Sequence, residues 1–436
     1  MQSTRSRHPN LVKGLLFGSG FLGYITALVM PLFVRSMAHD VGVEVPLVGW
    51  LAGAQGVLVG LASLIVGPIS DVYGRKRVLL WSLVANAVAA AAFGRAWNAW
   101  SLYTFGALNA LTFSPLAFCS LAYIADYFEP KERGAAVGVV TASVWAGVII
   151  GTPLTVVMLE LPGYGWRSVF GVIGALSALL FIATAFGLDD KRAETQGTQR
   201  RTTRGMLGSY AGFARDDRLR GFLSIFVLVR AGVGMYFVYG ATYLLTSREF
   251  PAQGFIKIYP FGGLLAFGTS MLAGKLTDRI GAKGLVISSS VALIISIFLF
   301  LSYPTTPTNI VPAMAAFCAL YMVSDAVRTA ALQTEAVSKV SDHVRGAFMG
   351  LVSFLMYVSY GLGAIAGGFL LSLAPTTGDH ARDFAMGYSV IVYTTAGLWV
   401  ASIIFASRYV EHAPQRLAAA VLGAGLPSAQ TISERK

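Results

Sequence analysis

The chain has 436 residues, 55% of them hydrophobic and only 12% charged, with a mean hydropathy of +0.65. This excludes an ordinary soluble globular protein, which carries about twice that share of charge. The net charge of +12 could suit a nucleic-acid binder, but the basic residues are spread between long apolar runs, and that pattern points to a membrane.

A bilayer core takes roughly 20 apolar residues per helix. Twelve such runs follow one another: Leu11–Val34, Pro46–Ile69, Val78–Ala96, Trp100–Ala125, Gly134–Met158, Ser168–Gly187, Gly221–Thr246, Phe255–Leu276, Gly284–Tyr303, Ile310–Thr334, Gly346–Ala374 and Phe384–Ser407. The first is too long for a signal-peptide core and follows a short basic leader, so it is expected to be a retained helix. With the N-terminus in the cytoplasm, 25 of the 33 Lys and Arg fall on the cytoplasmic side. That asymmetry sets both termini in the cytoplasm, and a bacterial cytoplasmic (inner) membrane is the expected location. The lipid bilayer is the expected partner, and nucleic acid is not needed to explain the charge.

The longest polar interruption, Leu188–Arg220, separates six runs from six. Two repeats support a duplication. Gly67-Pro-Ile-Ser-Asp71-Val-Tyr-Gly74 matches Gly274-Lys-Leu-Thr-Asp278-Arg-Ile-Gly281, and Arg133-Gly-Ala-Ala-Val-Gly138 matches Arg345-Gly-Ala-Phe-Met-Gly350. The expected fold is an all-α integral membrane protein, with twelve transmembrane helices in two pseudo-symmetric six-helix bundles. The bundles cover residues 1–187 and 221–408, joined by a cytoplasmic linker at 188–220 and followed by a tail at 409–436. Folds of this kind hold substrate near the midplane between the halves.

In the Gly67–Arg77 loop, the glycines permit a tight turn and close approach. Asp71 can sit at a helix N-terminus, where the dipole favours it. Arg75 is four residues from Asp71 and within reach of Asp126. The bland alternative is a loop whose charges serve topology alone. The segment Gly67-x3-Asp71-x2-Gly74-Arg75-Lys76-Arg77 resembles the signature between helices two and three of the Major Facilitator Superfamily, and the likeness extends over Leu11–Ser407. The resemblance implies a secondary transporter whose halves are latched on the cytoplasmic side by Gly67, Asp71, Gly74, Arg75, Arg77 and Asp126. Asp278 and Gly281 belong to the second copy, where Ala282 replaces Arg75 and the latch is weaker or absent.

Gly147-x3-Gly151-Thr152-Pro153 in the fifth run resembles the glycine–proline motif of the superfamily's drug/proton antiporters. There the glycines allow close helix packing and the proline bends the helix. Gly106 stands where many proton-linked exporters carry arginine, which departs from their coupling scheme.

By the same resemblance, the first, fourth, seventh and tenth runs line the central cavity. The intramembrane charges lie on two of them: Arg230 on the seventh, Asp325 and Arg328 on the tenth. Each costs roughly 2.5–3.5 kcal/mol on insertion scales, so such groups are kept for a use. At 1.5 Å per residue, Arg230 and Asp325 are both roughly 14 Å from the cytoplasmic end. Three readings compete: Asp325 carries a proton, Arg230 and Arg328 bind an anionic substrate, or the three form a structural ion pair. The further cavity candidates are Thr26, Asn109, Thr112, Tyr123, Tyr236 and Tyr321. Tyr239 lies half a turn from Arg230 and can share its cavity only if Gly232 and Gly234 bend the helix.

The expectation is proton-coupled export of a small organic molecule, anionic or amphipathic, by a monomer. The alternatives are an organic-anion importer or exchanger using Arg230 and Arg328, or a sensor that binds without translocating. No enzyme, cofactor or metal is expected: no phosphate-binding loop occurs, all five histidines lie outside the runs, and the two cysteines lack ligand neighbours.

Overall fold

The computed structural model describes residues 9–128, 130–189, 212–213, 215–304, 306, 308–340, 342–375 and 377–410. The leader, most of the linker and the tail beyond Val410 lie outside the described residues, as do the side chains of Asp71, Asp126 and Asp278. Each apolar run is a helix, because backbone in hydrocarbon must satisfy its own polar groups. The helices are α1 (Pro9–Val41), α2 (Val45–Tyr73), α3 (Arg75–Phe93), α4 (Ala99–Tyr127), α5, α6 (Trp166–Gly187), α7 (Asp217–Ser247), α8 (Phe255–Ile280), α9 (Ala282–Ser302), α10 (Ile310–Ser338), α11 (Asp342–Ser372) and α12 (His380–Tyr409). Helix α5 runs as Pro130–Ala146, a π turn at Gly147–Gly151, and Thr152–Glu160. Among the described residues, eleven segments are long and apolar enough to cross a membrane; α1, with 33 residues, completes the twelve-helix fold.

The repeat is visible in the backbone. Gly74 and Gly281 turn the chain at φ +95° and +82°, a left-handed conformation that glycine adopts without strain. Asp71 lies in the last turn of α2 rather than at a helix start, since nothing before Gly74 breaks the helix. Two residues beyond each of these glycines, a lysine ties the half together. Lys76 Nζ donates to the carbonyls of Ala185 (2.8 Å) and Leu188 (2.5 Å) at the end of α6. Lys283 Nζ donates to the carbonyl of Ser407 (2.5 Å) near the end of α12. The last carbonyls of a helix lack intrahelical partners and carry its negative end, so an ammonium suits them.

Helices α1–α6 pack on one another, as do α7–α12, and the two sets meet through α2 with α11, α5 with α8, and α1 with α7. The α2–α11 seam is a stripe of small residues. A Cβ on Gly53 would stand 2.6 Å from the Gly361 carbonyl, and one on Gly56 would stand 2.9 Å from Gly361 Cα. Gly49 faces the Tyr239 ring and Gly60 faces Val358. From Gly49 to Gly60 the seam covers roughly 16 Å of helix. In the α5–α8 contact, a Cβ on Gly263 would meet Val148 at 2.8 Å. Both contacts gather toward the end where α2 and α8 begin.

The glycine–proline motif departs from a simple bend. Pro153 has no N–H to offer the preceding turn, and the ladder there widens into the π turn. Gly151 faces Ile25 of α1. Helix α7, in contrast, is unbroken. Its Gly232 packs on Trp399 and its Gly234 on the Tyr360 backbone, so these glycines serve close packing and form no hinge. Tyr239 therefore faces away from Arg230: its hydroxyl donates to the Ala364 carbonyl (3.0 Å) within the seam.

Candidate functional site

Asp325 and Arg328, three residues apart on α10, share one face and meet Arg230 of α7. Arg328 Nη2 donates to Asp325 Oδ1 at 2.9 Å, whereas Arg230 Nη1 lies 3.6 Å from Oδ2. The first is a charge-assisted hydrogen bond and the second only an ion pair. Arg230 spends its other terminal nitrogen on Thr329 Oγ1, at 2.9 Å. Burial follows the same order: the Arg328 side chain is fully enclosed, while Arg230 and Asp325 keep 17% and 21% exposure. The Arg328 guanidinium lies 4.8 Å over the Trp399 ring, a placement favourable for a desolvated cation.

The pairing is incomplete. Arg328 Nε and Nη1 and the Tyr321 hydroxyl are buried without a hydrogen-bond partner among the described residues. No second carboxylate pairs with either arginine there, so the cluster carries one uncompensated positive charge. A buried, partly unpaired guanidinium is costly to keep and calls for an explanation.

In front of Arg230, both halves contribute aromatic rings. Phe113 of α4 meets Tyr24 of α1 edge-on at 5.0 Å and Tyr357 of α11 at 5.5 Å. The hydroxyls of Tyr24 and Tyr357 contact each other, and Arg230 acts electrostatically on both and on Tyr360. A separate cavity between α7, α8 and α10, lined by Tyr236, Tyr259, Cys318 and Tyr321, measures about 30 Å³. That suits water rather than an organic molecule.

Several expected cavity residues lie elsewhere. Asn109 and Thr112 turn into the α3–α4 contact, where they reach Asn86 Oδ1 at 3.1 and 2.8 Å; a polar face on a cavity helix can equally serve a neighbouring helix. Tyr123 is buried at the end of α4, donating to the Asp189 carbonyl (2.9 Å). Tyr236 packs among Tyr321, Phe300 and Tyr388. Thr26 is half-buried and bonds the Leu22 carbonyl (3.0 Å). At the start of α3, Arg75 bonds the Ser70 hydroxyl and, at 3.5 Å, the Gly67 carbonyl. Sequence reasoning missed Tyr24, Tyr357, Thr329 and Trp399. It also passed over Gly49, Gly53, Gly56 and Gly60, whose four-three-four spacing was available as a signal.

A model of the Major Facilitator Superfamily matches residues 15–364. The chain belongs to that superfamily. Over 407 residues it is 24% identical to the tetracycline resistance protein, class G, of Vibrio anguillarum, covering 90% of this chain and 92% of that one. It is 26% identical to an uncharacterized MFS-type transporter, YybF of Bacillus subtilis, over 52% of this chain, and that match spans only 55% of the relative. The fold is that of a bacterial homologue of the human lysosomal transporter Spinster, solved inward-facing and unoccupied. The two share a TM-score of 0.76 and 14% identity, over 93% of this chain and 99% of that one.

Proposed function

We propose that this transporter moves a small organic molecule out across the bacterial cytoplasmic membrane. It alternates access between the bundles at 1–187 and 221–408, with Asp325 carrying the coupling proton. The observation that supports this most is one carboxylate shared between two arginines of unequal grip. A proton on Asp325 weakens the longer, more open Arg230 pair first, so protonation and substrate binding compete at one group. With both termini cytoplasmic, the α2–α11 seam lies on the outer side and the cavity opens inward, in keeping with the inward-facing relative. Export is favoured by the near full-length likeness to a tetracycline resistance protein. The latch role stays with Gly67, Asp71, Gly74, Arg75, Arg77, Asp126, Asp278 and Gly281, and helix packing with Gly147, Gly151 and Pro153. Replacing Arg75 by Ala is expected to slow turnover in vesicles, and normal turnover would remove it from the mechanism.

The decisive experiment reconstitutes wild type, Asp325→Asn, and the charge-balanced pair Asp325→Asn/Arg328→Gln in liposomes under a pH gradient. Both variants should lose at least about tenfold in gradient-driven transport (about 1.4 kcal/mol). Unchanged gradient-driven transport in the folded double variant would sink the carrier role.

A further inference from the structure

The two arginines divide their work by geometry. Arg328 is fully enclosed, hydrogen-bonded to Asp325 and stacked on Trp399, so it cannot meet anything arriving from the cavity. Arg230 is the exposed one, and its link to Asp325 is long enough to be exchanged. The uncompensated positive charge of the cluster is thus accessible from outside at Arg230. What surrounds that charge is aromatic: Tyr24 and Phe113 from one half, Tyr357 and Tyr360 from the other. Ring edges and hydroxyls on these walls suit a flat π-system, which gains from edge-to-face contact beyond simple burial. The neighbouring 30 Å³ cavity is too small to offer an alternative seat.

We propose that the substrates are aromatic acids, with the acidic group received by Arg230 and the ring resting against the aromatic wall formed by Tyr24, Phe113 and Tyr357. This rests on the reading of the Arg230–Asp325–Arg328 cluster as the transport site. It goes further by naming the cargo's chemistry and giving the two arginines different tasks. Arg230 is the receiving residue; Arg328 is a positioning residue that holds Asp325 back so that Arg230 can exchange partners. Because Tyr24 and Tyr357 belong to opposite halves, a ring lying against both would join the halves at the base of the seam.

The test uses the full chain purified in detergent, with thermal unfolding and tryptophan fluorescence as readouts. Benzoate is compared with benzamide, which has the ring without the charge, and with cyclohexanecarboxylate, which has the charge without the aromatic ring. Benzoate should bind and stabilise, benzamide should not, and cyclohexanecarboxylate should bind about fivefold more weakly, as expected for loss of ring contacts. Arg230→Gln should weaken benzoate at least about tenfold, with Arg230→Lys between the two. Tyr357→Leu should reduce benzoate to the level of cyclohexanecarboxylate, and Asp325→Asn/Arg328→Gln, which removes the carboxylate that competes for Arg230, should tighten benzoate binding. Equal binding of benzamide, no response to any of the acids, or benzoate binding unaffected by Arg230→Gln would overturn the assignment. Gradient-driven transport of a neutral or cationic compound, with no acid bound, would overturn the cargo class alone. Acid binding without transport in liposomes would keep this site and remove the transport reading.

Discussion

The two halves carry polar clusters of opposite character at their centres. In the first half, Asn86 of α3 donates to Ser177 of α6 (2.8 Å) and accepts from Asn109 and Thr112 of α4. All four side chains are neutral and buried, and the Ser177 hydroxyl donates to the Ile173 carbonyl (2.8 Å). In the second half, three charged groups share too few partners, and two of them keep partial exposure. A closed neutral network has nothing to trade, so it ties α3, α4 and α6 together. An unbalanced charged one can exchange partners with a proton or a ligand. One duplicated plan thus carries a closed neutral network on one side and an unbalanced charged cluster on the other.

The largest test of this contrast is Asp325→Asn, which leaves Arg328 enclosed without its counter-charge. It should cost about 3 kcal/mol, seen as a lower unfolding temperature, and Asp325→Asn/Arg328→Gln should recover most of it. An equal loss in both variants would mean that the Arg328 charge is not what Asp325 balances. Next comes Asn86→Ala, which strands the groups that meet at its amide. A loss of about 2 kcal/mol is expected, with the substrate preference of transport unchanged. A changed preference would break the view of the first half as a frame. A smaller effect is expected at the seam between the halves. There Gly361→Ala would push against the Gly53 carbonyl, and transport should fall about tenfold (about 1.4 kcal/mol) while unfolding temperature moves little. Smallest of all, Lys76→Ala and Lys283→Ala should each cost about 0.5–1 kcal/mol, and similar values would show that the halves keep their shared features outside the two centres.

What was legible in the sequence was whatever breaks a local rule. Charges inside apolar runs, glycines repeated at one offset and a one-sided spread of lysine and arginine each stand out against their surroundings. They led to twelve helices, a duplication and the trio Arg230, Asp325 and Arg328. Asn109 and Thr112 were assigned to the cavity because a polar stripe on a helix does not say which neighbour it faces; that is set by the rotation of α4 against α3. Tyr24, Phe113 and Tyr357 come together only through the docking of the halves, which no spacing along the chain encodes. Tyr239 and Gly49 meet for the same reason. The α2 glycine stripe differs: its periodicity lay in plain view, overlooked beside the loop motif that follows it.

The lysines at the ends of α6 and α12 bear on how the halves can move. Lys76 pins the start of α3 to the exit of α6, and Lys283 pins the start of α9 near the exit of α12. A sliding of either last helix along its own bundle would pull an ammonium off carbonyls that have no other donor in the helix. The easier coordinate is for each half to rock as an intact block. The molecule's softness then lies in the weave of glycines between α2 and α11, and labels placed within one half should hold their spacing while labels across that weave do not.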